Sequence, residues 1–287
     1  MDDMSGANSC PHSLLEGEKQ TVYETANEHP DIKHRKLAYK MQNEGTCFVS
    51  PSSVYRLLKA RGLIKERETQ REESVPDSRD DGPDEPNEQW HTDVTYIKVD
   101  GSWAKLVSFL DGCSRKIVHW RLSYSLSALQ VSRVYDEALK KEGLLKADEK
   151  PKVVSDNGSR FVGSDMAGFL DDLGVHHRTI PVGHPESNGK IEVFHKTLKY
   201  ENVYLKPRYE TLLEARDDIG TFIDHYNKDR LHQGINYVTP KQKHQGNAED
   251  IVEQREQKHE EAQKRRKRIN QQRSKSGKTK ERFEESV

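Results

Sequence analysis

No apolar run in the 287-residue sequence approaches the roughly 18 residues that a membrane span requires, and the chain opens on Asp2 and Asp3 instead of a basic and then apolar segment. An intracellular, cytoplasmic protein with no membrane partner is expected. Cysteine is scarce: Cys10, Cys47 and Cys113 are odd in number, scattered and without paired spacing, which argues against a disulfide framework or a zinc site and leaves ordinary buried or loop thiols. Hydrophobic residues make up only 32% of the chain against 33% charged, so part of the length belongs to linkers or tails. Net charge is nearly missing as well, at -1, and the total does not announce a nucleic-acid binder.

That balance conceals a strong polarity along the chain. Between Glu66 and Glu88 ten acidic residues face three basic ones, whereas Lys264 to Arg282 holds ten basic residues and the single acid Glu281. The acidic stretch also carries Pro76, Pro83, Pro86 and Gly82 with one aliphatic residue, Val75, and so reads as a disordered linker over 66–88. It separates a small helical domain, 1–65, from a larger domain, 89–247, which is followed by a charged, largely basic tail, 248–287. The tail could be helical in part but has no apolar face, and is expected to be solvated, or to order only on a polyanion.

The small domain shows three helical patterns, around Leu14 to Glu28, Ile32 to Asn43 and Ser50 to Arg61. Ser50 can cap the third, Pro51 suits its first turn, and Gly62 stops it. With Val54, Leu57 and Leu58 facing inward, Ser52, Ser53, Arg56 and Lys59 point elsewhere. Two readings fit: a helix-turn-helix whose last helix enters a DNA groove through those four residues, or a three-helix bundle with no ligand.

In the larger domain the rhythm changes. Gln89 to Val99, Ala104 to Leu110 and Lys116 to Leu122 are rich in β-branched and aromatic residues and are separated by Asp100-Gly101 and Asp111-Gly112, which predicts an antiparallel meander. A helix over Leu126 to Lys141, a strand over Lys152 to Ser155, a helix through Met166, Phe169, Leu170 and Leu173 stopped by Gly174, and a strand over Val175 to Ile180 follow. Two more helices are expected, one from Ser187 or Asn188 past Lys199 and one over Thr211 to Tyr226. This order belongs to the α/β class: a ribonuclease H-like mixed sheet flanked by helices, preceded here by the small all-α domain.

Three acids stand out by position. Asp93 lies inside the first strand, Asp156 just past the strand ending at Ser155, and Glu192 in the first turns of a helix, so they could converge at one edge of the sheet. Close carboxylates repel one another unless a cation neutralises them. Magnesium prefers oxygen ligands and keeps several waters, so few protein groups can hold a pair of ions. Each acid also has an ordinary role: Asp93 as a polar residue on an exposed strand face, Asp156 as a turn former in Asp-Asn-Gly, Glu192 as a partner for Lys196. Asp111 competes for the first position, although its place before Gly112 marks a turn.

The runs S-D-N-G-S-R-F from Ser155 and H-P-E-S-N-G-K-I-E from His184 to Glu192, together with T-D-V-T-Y from Thr92, L-D-G-C-S-R-K-I-V from Leu110, T-L-K-Y from Thr197 and Y-N-K-D-R-L-H-Q-G from Tyr226 with Thr239-Pro240 after it, form an ordered set covering roughly residues 89 to 246. This set resembles retroviral integrases and, more closely, IS3-type insertion-sequence transposases. The resemblance implies Asp93, Asp156 and Glu192 as catalytic and metal-binding residues for two Mg2+ ions, with Mn2+ as a substitute. It implies Lys199 as the basic residue seven positions after the glutamate and Asn188 toward DNA in an active-site loop over Gly183 to Gly189; helical spacing sets Glu192, Lys196 and Lys199 along one stripe, with Lys190 on the same helix, where the lysines either hold the DNA backbone or form a solvated basic face. The paired His and Cys pattern of the integrase zinc module is missing from residues 1 to 65, which favours the helix-turn-helix.

The resemblance further implies phosphodiester hydrolysis and strand transfer at the ends of a mobile element, with double-stranded DNA, both element ends and target, as partner. A homo-oligomer on DNA is expected, and a separate upstream-encoded transposase subunit is a further candidate partner, since this chain has no evident leucine zipper. A catalytically silent, transposase-derived repressor and a nuclease of the same fold are the alternatives.

Overall fold

The computed structural model describes residues 11–64, 82–155, 177–179 and 189–284, with side chains described for all of these but 128, 177–179 and 276–284. The chain divides into two compact units, Val75–Asn247 and the flanking segments Met1–Ser74 with Ala248–Val287.

The first of these is built on a five-stranded sheet. Strands β1 (Gln89–Val99), β2 (Ser102–Asp111) and β3 (Ile117–Ser123) form the antiparallel meander, and β4 (Lys152–Ser155) and β5 (His177–Thr179) add in parallel on the other side of β1, giving the order β3-β2-β1-β4-β5. That mixture and order define the ribonuclease H-like fold anticipated above. The turn between β1 and β2 uses Asp100 and Gly101, both at positive φ (44° and 75°), where glycine carries no steric penalty.

Both sheet faces are buried, so β2 is buried almost continuously from Ala104 to Asp111 rather than at alternate residues. Trp90, Val107, Phe109 and Val153 face helix α4 (Ala128–Lys141), which contributes Val131, Val134, Tyr135, Ala138 and Leu139. The opposite face, with Ile97, Val99, Leu106 and Leu110, packs on α5 (Gly189–Glu201) through Ile191, Phe194 and Leu198, and on α6 (Leu212–Lys228) through Ala215, Ile219, Ile223 and Tyr226. Each fully buried Leu, Ile or Phe contributes about 1.5–3 kcal/mol, so the three apolar residues of α5 suffice to seat it. Ser127 and Thr211 cap α4 and α6 by accepting from the amides of Gln130 and Glu214. The helix expected through Met166 and most of the loop from Gly183 lie outside the described residues.

Residues 82–88, expected to belong to a disordered linker, are instead part of this unit. The Asn87 amide donates to Asp111 Oδ2 (2.7 Å), Trp90 Nε1 donates to Asn87 Oδ1 (3.1 Å), and the Asp84 carbonyl accepts from Cys113 Sγ (3.1 Å). Polar composition was a poor guide here because backbone groups and one amide, not apolar area, make these attachments.

In the second unit α1 (Glu16–Glu28), α2 (His34–Glu44) and α3 (Pro51–Ala60) enclose Val22, Leu37, Met41, Val49, Val54 and Leu58. Gly45, at φ 71°, ends α2 in the left-handed conformation, and Ser50 accepts from the Ser53 amide at 3.2 Å to start α3. A short helix, α7 (Pro240–His244), closes the sheet unit, and α8 (Ala248–Glu284) then returns to the helical one. The tail expected to be solvated is therefore a 37-residue helix with a packed face. That face is polar apart from Ala262: Arg255, Arg266 and Asn270 are buried with it, Arg266 donates to Glu18 Oε2 (2.8 Å) and to the Phe48 carbonyl (2.6 Å), and Asn270 donates to the carbonyls of Pro11 (3.1 Å) and Ser13 (2.9 Å). A search for apolar periodicity passes over such a face, since ion pairs and hydrogen bonds satisfy it.

Candidate active site

Strand alternation decides where Asp93 points. Trp90 and Val94 lie on the α4 side of the sheet and Ile97 and Val99 on the α5 side, so Asp93 faces α5. Its cross-strand partner is Ser108, also on that side and fully buried. Asp93 Oδ1 accepts from the Val94 amide at 2.7 Å, while Oδ2 lies 3.3 Å from Nδ1 of His195 on α5. The other ring nitrogen of His195 is 2.7 Å from Ser108 Oγ. The Asp93 side chain keeps 22% of its surface, so its carboxylate remains reachable.

Glu192 stands in the first turn of α5, exposed, one turn before His195. Lys196 is exposed and Lys199 half-buried further along the same helix, the stripe anticipated from helical spacing, and Lys190 is half-buried at its start. The strand β4 pairs with β1 as far as Thr92↔Ser155, the residues that precede Asp93 and Asp156 in sequence. Asp156 and Asn188 lie outside the described residues. Among the described residues no three His, Cys, Asp or Glu side chains cluster as a metal site. The donors at Asp93 and Glu192 are carboxylate oxygens, the type a hard divalent cation such as Mg2+ prefers.

Asp111, the competing acid, has a structural part. It is fully buried and accepts from the amides of Asn87 and Ser114 (2.7 Å each) and from Ser114 Oγ (2.6 Å), with His244 Nδ1 3.8 Å from it. Burial opposes its ionisation, but His244, Ser114 and the Asn87 amide more than offset this and hold it below the usual carboxylate range. His244 in turn meets Glu142 at 2.9 Å, and Glu142 meets Lys116 at 2.8 Å, so the Leu110-to-Val118 motif locks α7 to the sheet.

On α3, Ser52, Arg56 and Lys59 are exposed, and Ser53 is half-buried with its hydroxyl 3.0 Å from Ser50 Oγ. Tyr55 on the same face was not singled out from sequence; it is 36% exposed, with the His34 ring edge-on at 5.1 Å and Lys59 Nζ 5.8 Å from its centroid. Of the basic run in α8, Arg265 and Arg266 are committed to Glu18, whereas Lys264, Lys267 and Arg268 stay exposed. Cys47 is buried, which pushes its thiol up to about 11, and it is chemically inert at neutral pH. Sequence reasoning also passed over His195 and Ser108. The available signal was a histidine among Ile191, Phe194 and Leu198 on the inward face of the Glu192 helix, where a polar ring requires partners.

Two family models, each described as an integrase core domain, match residues 83–185 and 173–240, and together they span more than half of the chain. Among curated proteins, the transposase of insertion sequence element IS904 from Lactococcus lactis is 33% identical over 161 residues, which cover 54% of this chain and 60% of that protein. Transposase InsD of an Escherichia coli IS2 element is 25% identical over 233 residues, 77% of this chain and 76% of that protein. Among solved structures, the HTLV-2 integrase catalytic core domain in complex with magnesium is 21% identical and superposes with a TM-score of 0.42 over 56% of this chain and 97% of that one. The two family matches define a protein with an integrase core. The chain belongs to the integrase-core family, and the curated relatives it matches are transposases of insertion sequence elements. Among the described residues no helix is long and apolar enough to cross a membrane.

Proposed function

We propose that the chain is a Mg2+-dependent DNA strand transferase in which Asp93, Asp156 and Glu192 hold two metal ions. The observation that carries this reading is the joining of β1 and α5 at the candidate site: Asp93 faces α5 and meets His195, one turn from Glu192. When bound, a pair of divalent ions activates the attacking oxygen of a phosphodiester displacement and stabilises the leaving one. The protein's part is to fix its acids and align the DNA. The Val94 amide holds one oxygen of Asp93. Glu192 reaches solvent from the helix start, where the positive end of the helix dipole favours a carboxylate.

Lys190, Lys196 and Lys199, with Asn188 from the preceding loop, bind phosphates beside the acids. Helix α3, through Ser52, Ser53, Arg56 and Lys59, reads the element ends as the last helix of a helix-turn-helix. The partners are double-stranded element ends and target DNA, engaged by a homo-oligomer, with an upstream-encoded subunit as a candidate addition, in the prokaryotic cytoplasm on the nucleoid. No described side chain favours a silent repressor, and a nuclease lacking strand transfer shares every residue named.

The test is strand transfer of labelled DNA bearing the element ends, with Mg2+, comparing native protein with Asp156→Asn and Glu192→Gln. Joined products from native protein, and none from variants that still bind DNA, are expected. Cleavage without joining would establish the nuclease, and binding without either product, even with the upstream subunit added, would establish the repressor.

A further inference from the structure

We propose that His195 is a positioning residue, clamped between Asp93 and Ser108, that sets the Asp93 carboxylate and the helix bearing Glu192 for metal binding. This rests on the reading of those two acids as metal ligands. His195 is 5% exposed and sits on a helix face otherwise made of Ile191, Phe194 and Leu198. A buried imidazole there could be satisfied by one neighbour and water; instead both ring nitrogens have protein partners, and one of them is an acid the reaction depends on.

The chemistry of the partners orders the ring. Nδ1 lies 3.3 Å from Asp93 Oδ2, and since a carboxylate oxygen accepts, the tautomer with its proton on Nδ1 is the one that suits both neighbours. Nε2 then accepts from the Ser108 hydroxyl at 2.7 Å. Asp93 and Ser108 are cross-strand partners on β1 and β2, so the ring is anchored at two points of one rigid ladder. Two consequences follow. With Oδ1 on the Val94 amide and Oδ2 on the ring, the Asp93 carboxylate has one orientation. And because residues three apart on a helix are neighbours, anchoring His195 fixes where Glu192 stands along the sheet.

Hydrogen-bonded neighbours that orient metal-binding side chains typically matter by about 10- to 100-fold in metal affinity, which makes the role measurable without turnover. The experiment is Mn2+ binding to the full-length protein without DNA, by calorimetry, for native protein and for Asp93→Asn, His195→Leu, His195→Asn and Ser108→Ala, with circular dichroism reporting the fold. His195→Leu should weaken Mn2+ binding by about tenfold or more, while His195→Asn, whose amide can still donate to Asp93, stays within about threefold of native, and Ser108→Ala falls between.

A folded His195→Leu protein that binds Mn2+ as tightly as native overturns the positioning role, while loss of binding in Asp93→Asn keeps the metal reading intact. If His195→Leu does not fold, Ser108→Ala decides, since it deletes one hydroxyl: native affinity there overturns the proposal. Asp93→Asn binding like native, or native protein binding no Mn2+, removes the metal reading and this inference with it.

Discussion

Glu18 and Arg266, 248 positions apart in sequence, meet at 2.8 Å in a buried pair, and Arg265 adds a second contact at 2.9 Å. The chain's two ends thus make one unit, with the integrase core inserted between them. Burial works against ionisation of Glu18, but hydrogen bonds from Arg266, the Leu15 amide and Arg265 outweigh it and lower its pKa. Removing one partner strands the other charge in the interior, a loss of about 3–5 kcal/mol. Glu18→Gln and Arg266→Ala should therefore each raise hydrogen exchange in α1 and α2 while leaving β1 to β3 unchanged. Equal protection in native and variant proteins would show that α8 does not support those helices.

The same pair sets an acid limit. A carboxylate whose folded pKa is lowered stabilises fully above its unfolded value, near 4.5, and that stabilisation is lost as pH falls through the folded value. The helical unit should loosen on acidification below that point, and Glu18→Gln should flatten the dependence. Tryptophan emission would miss this, because Trp90, Trp103 and Trp120 all lie in the other unit, so exchange or circular dichroism is the measurement.

His244 has the opposite sign. Burial disfavours its protonated form, yet the carboxylates of Asp111 and Glu142 prevail over burial and over nearby Lys116, and its pKa is raised above 6.5. Stabilisation from the charged ring is complete below the unfolded value and disappears as pH rises through the folded one, at about 1.4 kcal/mol for each unit of elevation. Asp111 and Glu142 stay ionised throughout, since their own pKa values are lowered. The melting temperature of the core should drop as pH rises above about 6.5, and His244→Gln should be lower but level. A level native profile would count against the ring being charged.

Much of this was legible in the sequence because it is written in local chemistry. β1 and β4 fall where β-branched residues predicted them, and Ser50 caps the helix it precedes as its place before Pro51 suggested. Long-range polar contacts were not legible. Nothing near Arg266 in sequence identifies Glu18 as its partner, and nothing near His195 identifies Ser108, 87 positions away, because those meetings depend on how sheet and helices stack. The Leu110-to-Val118 motif was recognised as a string, but its work, holding Asn87, Ser114 and His244 around Asp111, required the fold.

Gly112 shows the same motif acting through the absence of a side chain. A Cβ there would lie 2.9 Å from Pro83 Cγ, 3.1 Å from the Gln89 carbonyl and 3.1 Å from His91 Nε2. The proline can shift, but the Gln89 carbonyl accepts from the Gly112 amide at 2.9 Å and is fixed by the strand. Gly112→Ala should therefore destabilise the core by about 1–3 kcal/mol, as overpacking does. Chemical denaturation checks it, and Pro83→Ala in the same background should recover part of the loss if the ring is the obstacle.

Lys196 and Lys199 on α5 and Arg56 on α3 should be separable by salt. A lysine that neutralises a phosphate releases condensed counterion, so each of Lys196→Ala and Lys199→Ala should weaken binding to element-end DNA and flatten the slope of log affinity against log salt by about 1. Both effects should appear equally on unrelated duplex, because phosphates carry no sequence. Arg56→Ala, if α3 reads bases, should instead narrow the gap between element ends and unrelated DNA by about 1–3 kcal/mol. Should Arg56→Ala change only the salt slope, α3 contacts the backbone alone and end selection lies elsewhere. Unchanged slopes for both lysine variants would take α5 out of the DNA path, leaving Glu192 exposed on a helix that the substrate does not approach.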